Sequence, residues 1–220
     1  NTALPSLQQL RVYDVNTAVL GGQQLNVPQL SSLDLEYVGV QLCVSWSQLS
    51  SLKELHARFA GDVAVSGDAQ LSALTHLTDL SLSWCDFEGA WDAAQLLLQA
   101  SPPTVQSLAL DSPAVHRFQP PILTGFTQLT SLQCGSLAVI PQLSPLKQLQ
   151  VLHLLHHSAA SLSVPELGML SELASLRRLR FRQRLTEEGG RARCLKVGLG
   201  LGFRVYLHYS FSFIFGLYLS

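Results

Sequence analysis

The sequence has no Asn-x-Ser/Thr triplet. Its only asparagines are Asn1, Asn16 and Asn26, so no N-linked glycan is expected. Its four cysteines, Cys43, Cys85, Cys134 and Cys194, stand far apart with no close pair at either end. That excludes a dense disulfide scaffold and predicts reduced thiols, with Cys85 and Cys134 in the core and a cytoplasmic location for the chain. No Gly-x-Ser-x-Gly elbow, His-Glu-x-x-His or phosphate loop is present, so the chain is not expected to be an enzyme. The run Gly198-Leu199-Gly200-Leu201-Gly202 has glycine spacing, but an aromatic tail follows it where a dinucleotide loop needs a helix. His153, His156 and His157 cluster without a nearby carboxylate or cysteine to complete a tetrahedral site, so neither a metal nor a cofactor is expected.

What is present is one phrase, repeated: a leucine, two residues, a leucine, one residue, an apolar residue. It reads Leu30-Ser31-Ser32-Leu33-Asp34-Leu35, then Leu77-Thr78-Asp79-Leu80-Ser81-Leu82, Val105-Gln106-Ser107-Leu108-Ala109-Leu110 and Leu149-Gln150-Val151-Leu152-His153-Leu154. Weaker copies begin at Leu7, Leu52, Leu129 and Leu176. Successive starts lie 23, 22, 25, 28, 24, 20 and 27 residues apart. Places four and six alternate with polar residues, which is the period of a strand with one buried face. Such a strand is stable only when stacked on copies of itself. Upstream leucines extend several copies in threes, as in Leu49-Leu52-Leu55 and Leu146-Leu149-Leu152, a spacing suited to a 3₁₀ turn leading into the strand.

In period and leucine placement, residues 4–185 resemble the leucine-rich repeat family. The resemblance implies an α/β solenoid: a curved parallel β-sheet on the concave face, with short helices and 3₁₀ turns on the convex face. The chain departs from the family at place nine, where Asn or Cys normally ties adjacent turns together. Here that place holds Val15, Val38, Ala60, Cys85, Pro113, Leu137, His157 and Arg184, so the polar ladder is mostly missing and irregular repeats are expected. The stretch Val139-Ile140-Pro141-Gln142-Leu143 is similar to plant-type repeats, and the Leu-Thr-x-Leu phrases to algal-type ones associated with cytoskeleton or cilia.

The longest interval carries Ala90–Gln99, a helix by propensity that stops before Pro102-Pro103. Ser163-Val164-Pro165-Glu166 is a capping box that starts a second helix through Leu173. The chain divides into a solenoid over 1–185, of about seven or eight repeats, and a tail over 186–220. The solenoid is expected to be a fragment lacking its N-terminal cap, since the chain starts at Asn1 and no cap precedes Leu4. In the tail every odd position from Val205 to Leu219 is apolar, which reads as a strand at the sheet edge or an end cover. A membrane anchor and a terminus unrelated to the domain are the alternatives. Charge divides the chain at nearly the same place: 13 acidic and 5 basic residues up to Leu176, then 2 acidic and 9 basic.

The family resemblance implies that outward places three, five and seven form a binding surface, with place eight at its rim. Place eight holds Tyr37, Phe59 and Trp84, with Tyr13 one place earlier in the preceding repeat. Around them stand Asp34, Glu36, His56, Arg58, Ser83 and Asp111. Aromatics in register among mixed charges predict a protein partner with a basic, partly apolar patch. Arg178, Arg180 and Arg182 form a second, basic patch open to phosphates or an acidic peptide, or simply a solvated terminal strand. No nucleic acid partner is expected, because basic residues are not spread over several repeats. The expected function is therefore protein binding, as a scaffold or substrate-recruiting adaptor. The alternative is the sensing part of a larger signalling enzyme or receptor, of a kinase or nucleotide-switch immune type.

Overall fold

The computed structural model describes residues 2–13, 17–20, 25–38, 41–44, 46–59, 64–66, 71–84, 88–111, 120–135, 137–156, 164–183, 204–208 and 213–218. In chain order the strands are β1 (Thr2–Ala3), β2 (Gln9–Tyr13), β3 (Thr17–Leu20), β4 (Leu25–Asn26), β5 (Ser32–Val38), β6 (Gln41–Val44), β7 (Glu54–Phe59), β8 (Ala64–Ser66) and β9 (Asp79–Trp84). Helix α1 (Glu88–Gln99) follows, then β10 (Ser107–Asp111), β11 (Ser131–Cys134), β12 (Val151–His156), helix α2 (Val164–Ser171), β13 (Arg178–Gln183), β14 (Arg204–His208) and β15 (Phe213–Tyr218).

Eight of these strands, β2, β5, β7, β9, β10, β11, β12 and β13, lie parallel in one sheet in the order of the chain. The register follows the leucine phrase. Leu10, Leu33, Leu55, Leu80, Leu108, Leu132, Leu152 and Leu179 are paired one to the next across the whole sheet. All but the partly buried Leu10 are buried, as are Leu35, Ala57, Leu82, Leu110, Cys134 and Leu154 at place six. Each phrase therefore supplies the same two inward side chains, and the core is a stack of them. The leucine triplets close the turns before the strands: the N–H of Leu52 donates to the carbonyl of Leu49 at 2.9 Å, and Leu149 to Leu146 at 3.1 Å.

Adjacent repeats are also joined at place two, outside the strands proper. The carbonyls of Gln8, Ser31, Lys53, Thr78, Gln106, Thr130 and Gln150 each accept from two successive N–H groups of the next repeat, at 2.8–3.1 Å. Where place two is Ser or Thr, its hydroxyl donates to the same carbonyl: Ser31 to Gln8 (3.0 Å), Thr78 to Lys53 (3.3 Å) and Thr130 to Gln106 (3.1 Å). This ladder satisfies backbone groups at every junction, at a place other than the one where family resemblance would put it. Of the place-nine residues, Val15, Ala60, Cys85, Pro113, His157 and Arg184 lie outside the described residues, as do Cys194, Ser163 and the glycine run 198–202.

The layer behind the sheet corrects one expectation. Short helices and turns were expected there throughout, but the first three repeats add a second parallel sheet, β3-β6-β8. Beyond it α1 packs against β8 and against the 3₁₀ helix Pro120–Gly125. A further 3₁₀ helix, Leu137–Gln142, lies between that element and α2. In α1, Ala94, Leu97 and Leu98 are buried while Leu96 is exposed, as the amphipathic spacing requires. At the far end, β15 pairs antiparallel with β13, and β14 with β15. The odd-numbered apolar positions of the tail fall in the leucine column, Leu179↔Leu217↔Val205. The hairpin therefore extends the sheet in phase and covers the edge of the last parallel strand.

Candidate functional site

The face of the sheet opposite the leucines carries places three, five and seven. Neighbouring strands stand about 4.8 Å apart, so register decides which side chains are neighbours. Place five runs Arg11, Asp34, His56, Ser81, Ala109, Gln133, His153, Arg180. Asp34 and Glu36 are half-buried, His56 and Arg58 are exposed, and Ser83 and Asp111 are half-buried. These outward candidates thus share one open face over β5, β7, β9 and β10. Tyr13 stands at its edge, 54% exposed.

Phe59 is not on that face, and this overturns its place among the contact residues. It is fully buried, in strict alternation with buried Leu55 and Ala57. Place eight has the same parity as places four and six, so a straight strand points it into the core. The column of rings also dissolves at Tyr37. Register shifts between Leu35 and Val38, and it is Val38, not Tyr37, that pairs with Phe59. One extra residue sits in β5 opposite β7, the arrangement of a β-bulge. Trp84 does pair with Phe59. Tyr37, Trp84 and Arg182 are placed by backbone register alone.

Arg11, which the sequence reading passed over, organises the start of the face. Its guanidinium Nε donates to the carboxylate Oδ2 of Asp34, and Nη2 lies 3.9 Å from Oε1 of Glu36. Its charged head sits 5.4 Å from the ring centre of Tyr13, in the range of a cation–π contact. The hydrogen bond and charge of Asp34 hold the Arg11 pKa above its ordinary value. The signal was available: Arg11 and Asp34 both occupy place five of consecutive phrases.

Register also sets Asp34, His56 and Ser81 side by side, a carboxylate, an imidazole and a hydroxyl in a row. They do not form a relay. Arg11 holds the carboxylate, and His56 makes no hydrogen bond to either neighbour. Activating a serine needs such contacts within hydrogen-bond reach. Among the described residues no three of His, Cys, Asp and Glu converge as metal ligands. No helix there is long and apolar enough to cross a membrane.

At the other end of the face, Arg178 is exposed and Arg180 half-buried, on the side opposite buried Leu179. His153 is the neighbour of Arg180 in register. Its Nε2 is enclosed and has no hydrogen-bond partner. Burial, then the positive charges of Arg180 and Arg178, lower its pKa. Fold and face together define a parallel-strand, repeat-built protein with an open polar sheet surface. The chain matches no family model and none of the curated proteins compared with it.

Proposed function

We propose that this chain is a leucine-rich repeat solenoid that binds another protein through the open face of its parallel sheet. The observation behind the reading is the register. Eight strands carry their buried leucines on one side, which leaves a continuous row of polar and charged side chains on the other. That surface uses no bond chemistry; complementarity of shape and charge would select the partner. With Phe59 removed from it, the contact region centres on Tyr13, Asp34, Glu36, His56 and Arg58. Tyr13 supplies apolar area, and the Arg11–Asp34 pair holds that edge in a fixed arrangement. A scaffold or substrate-recruiting adaptor is the role such a module would serve.

Affinity capture with the full chain, repeated with Tyr13→Ala and Arg58→Ala together, tests the reading. A partner retained by the native chain should be lost at least ~10-fold with the pair of substitutions, since interface anchors contribute more than 1 kcal/mol each. The melting temperature should stay within a degree or two. Capture that no substitution on the open face alters would place the contact elsewhere and end this proposal.

A further inference from the structure

We infer that the last parallel strand is a docking edge for an extended acidic peptide, whose carboxylates at alternate positions meet Arg178 and Arg180, with His153 beside them. Arg178 and Arg180 flank buried Leu179, so they stand on the same side of β13. A step of two residues along a strand is about 6.7 Å, and it is the same in an extended peptide laid alongside. Acids at alternate positions of the peptide therefore match the two arginines one to one, and Arg182 continues the series in register.

The charge has no internal use. Arg11 is neutralised by Asp34 and Glu36, but among the described residues neither Arg178 nor Arg180 has an ion pair or hydrogen bond. The neighbouring strands β11 and β12 offer Ser131, Gln133, Val151 and Leu155 on that face, none of them acidic. On the other side, Arg180 has Gly216 as its partner in β15. Guanidinium groups bind carboxylates bidentately, and such charge-assisted bonds are the strong ones. His153 completes the edge. The groups around it in register are Gln133 from β11 and Arg180 from β13, with Arg178 acting through its charge, so it meets positive charge and no negative. Its enclosed Nε2 has no partner until an anion arrives.

A nucleic acid fits less well. The arginines are confined to one strand, and Asp34, Glu36, Glu54 and Asp79 lie on the earlier strands of the same face. The inference does not rest on the reading above. Strands β10–β12 separate the two regions, so either can fail without the other.

The test uses the full chain and two fluorescent octapeptides of equal charge, one alternating Glu and Ser, the other with four Glu followed by four Ser. The alternating peptide should bind about 10-fold tighter or more, the worth of one well-placed charged hydrogen bond. Arg178→Gln with Arg180→Gln should remove that preference without changing the melting temperature, and Arg180→Lys should keep part of the affinity. Between pH 7.5 and 5.5 the affinity should rise, and His153→Gln should flatten that rise. Equal binding of the two peptides would mean that only net charge is read, and would overturn the proposal. So would tighter binding of a single-stranded oligonucleotide of equal charge, an unaltered affinity in the double variant, or a pH response that persists in His153→Gln.

Discussion

Behind the first three repeats lies a small parallel sheet, β3-β6-β8; behind the later ones lie α1, two 3₁₀ helices and α2. The front sheet does not register the difference, since the same leucine column runs through both halves. What differs is the chain available between phrases. The two longest intervals, 28 and 27 residues, hold the two α-helices, and the shortest, 20 residues, holds only the 3₁₀ helix Leu137–Gln142 before the next turn. An α-helix advances about 1.5 Å per residue and a strand about 3.3 Å. A helical crossing of the back therefore consumes more residues than an extended one. The phrase fixes the front of each repeat, and the interval length selects among the structures that can close it.

If the two halves share one core, substitutions in the column should cost alike in both. Phe59→Ala should destabilise by ~3–5 kcal/mol, and Leu80→Ala and Leu152→Ala by ~2–5 kcal/mol each, through the cavities they leave. Urea denaturation followed by fluorescence and by circular dichroism measures this. Coincident transitions are expected, and a variant that unfolds one half separately would break the comparison. A loss below half a kcal/mol at Leu80 and Leu152 would show that the column is not core.

A smaller and one-sided effect is expected in the backing layer. Leu96 faces outward on α1, so Leu96→Ala removes little. Leu96→Pro instead deletes a helical N–H and crowds the preceding turn, at ~3 kcal/mol. The difference between the two variants isolates what the helix itself contributes to the later half. Equal stabilities for Leu96→Ala and Leu96→Pro would mean that α1 is not needed to close its repeat.

The fold was legible because the leucine phrase carries both strand period and repeat period, and Leu33, Leu55, Leu80, Leu108, Leu132, Leu152 and Leu179 were expected at the strand centres where they lie. The back sheet was not legible. Runs as short as Ala64–Ser66 are too brief for periodicity to separate strand from turn. The face was read correctly at Asp34, Glu36, His56, Arg58, Ser83 and Asp111, where parity is simple. It was misread at Phe59, where parity was available but the ring was assigned to the rim. Tyr37 could not have been placed, because an inserted residue in β5 shifts everything after it without changing the composition of the phrase. Arg11 was missed because it was read as one charge rather than as the neighbour of Asp34.

The smallest effect should separate the halves by pH. His56 and His153 occupy the same column, but His56 is exposed while the Nε2 of His153 is enclosed beside Arg180. Burial foremost, then the charges of Arg180 and Arg178, depress the pKa of His153 below its ordinary 6.5. In the window just below that value the unfolded chain takes up a proton that the folded chain refuses. Unfolding is then favoured as pH falls, so the contribution of His153 is complete above about pH 6.5 and is lost on acidification toward its folded pKa. Melting temperatures measured from pH 8 to 5.5 should fall less steeply in His153→Gln than in the native chain. The carboxylates, which titrate mainly at lower pH, leave the difference between the two slopes to the imidazole. Identical slopes would mean that His153 reaches solvent when protonated, and that the later half of the face is as open as the first.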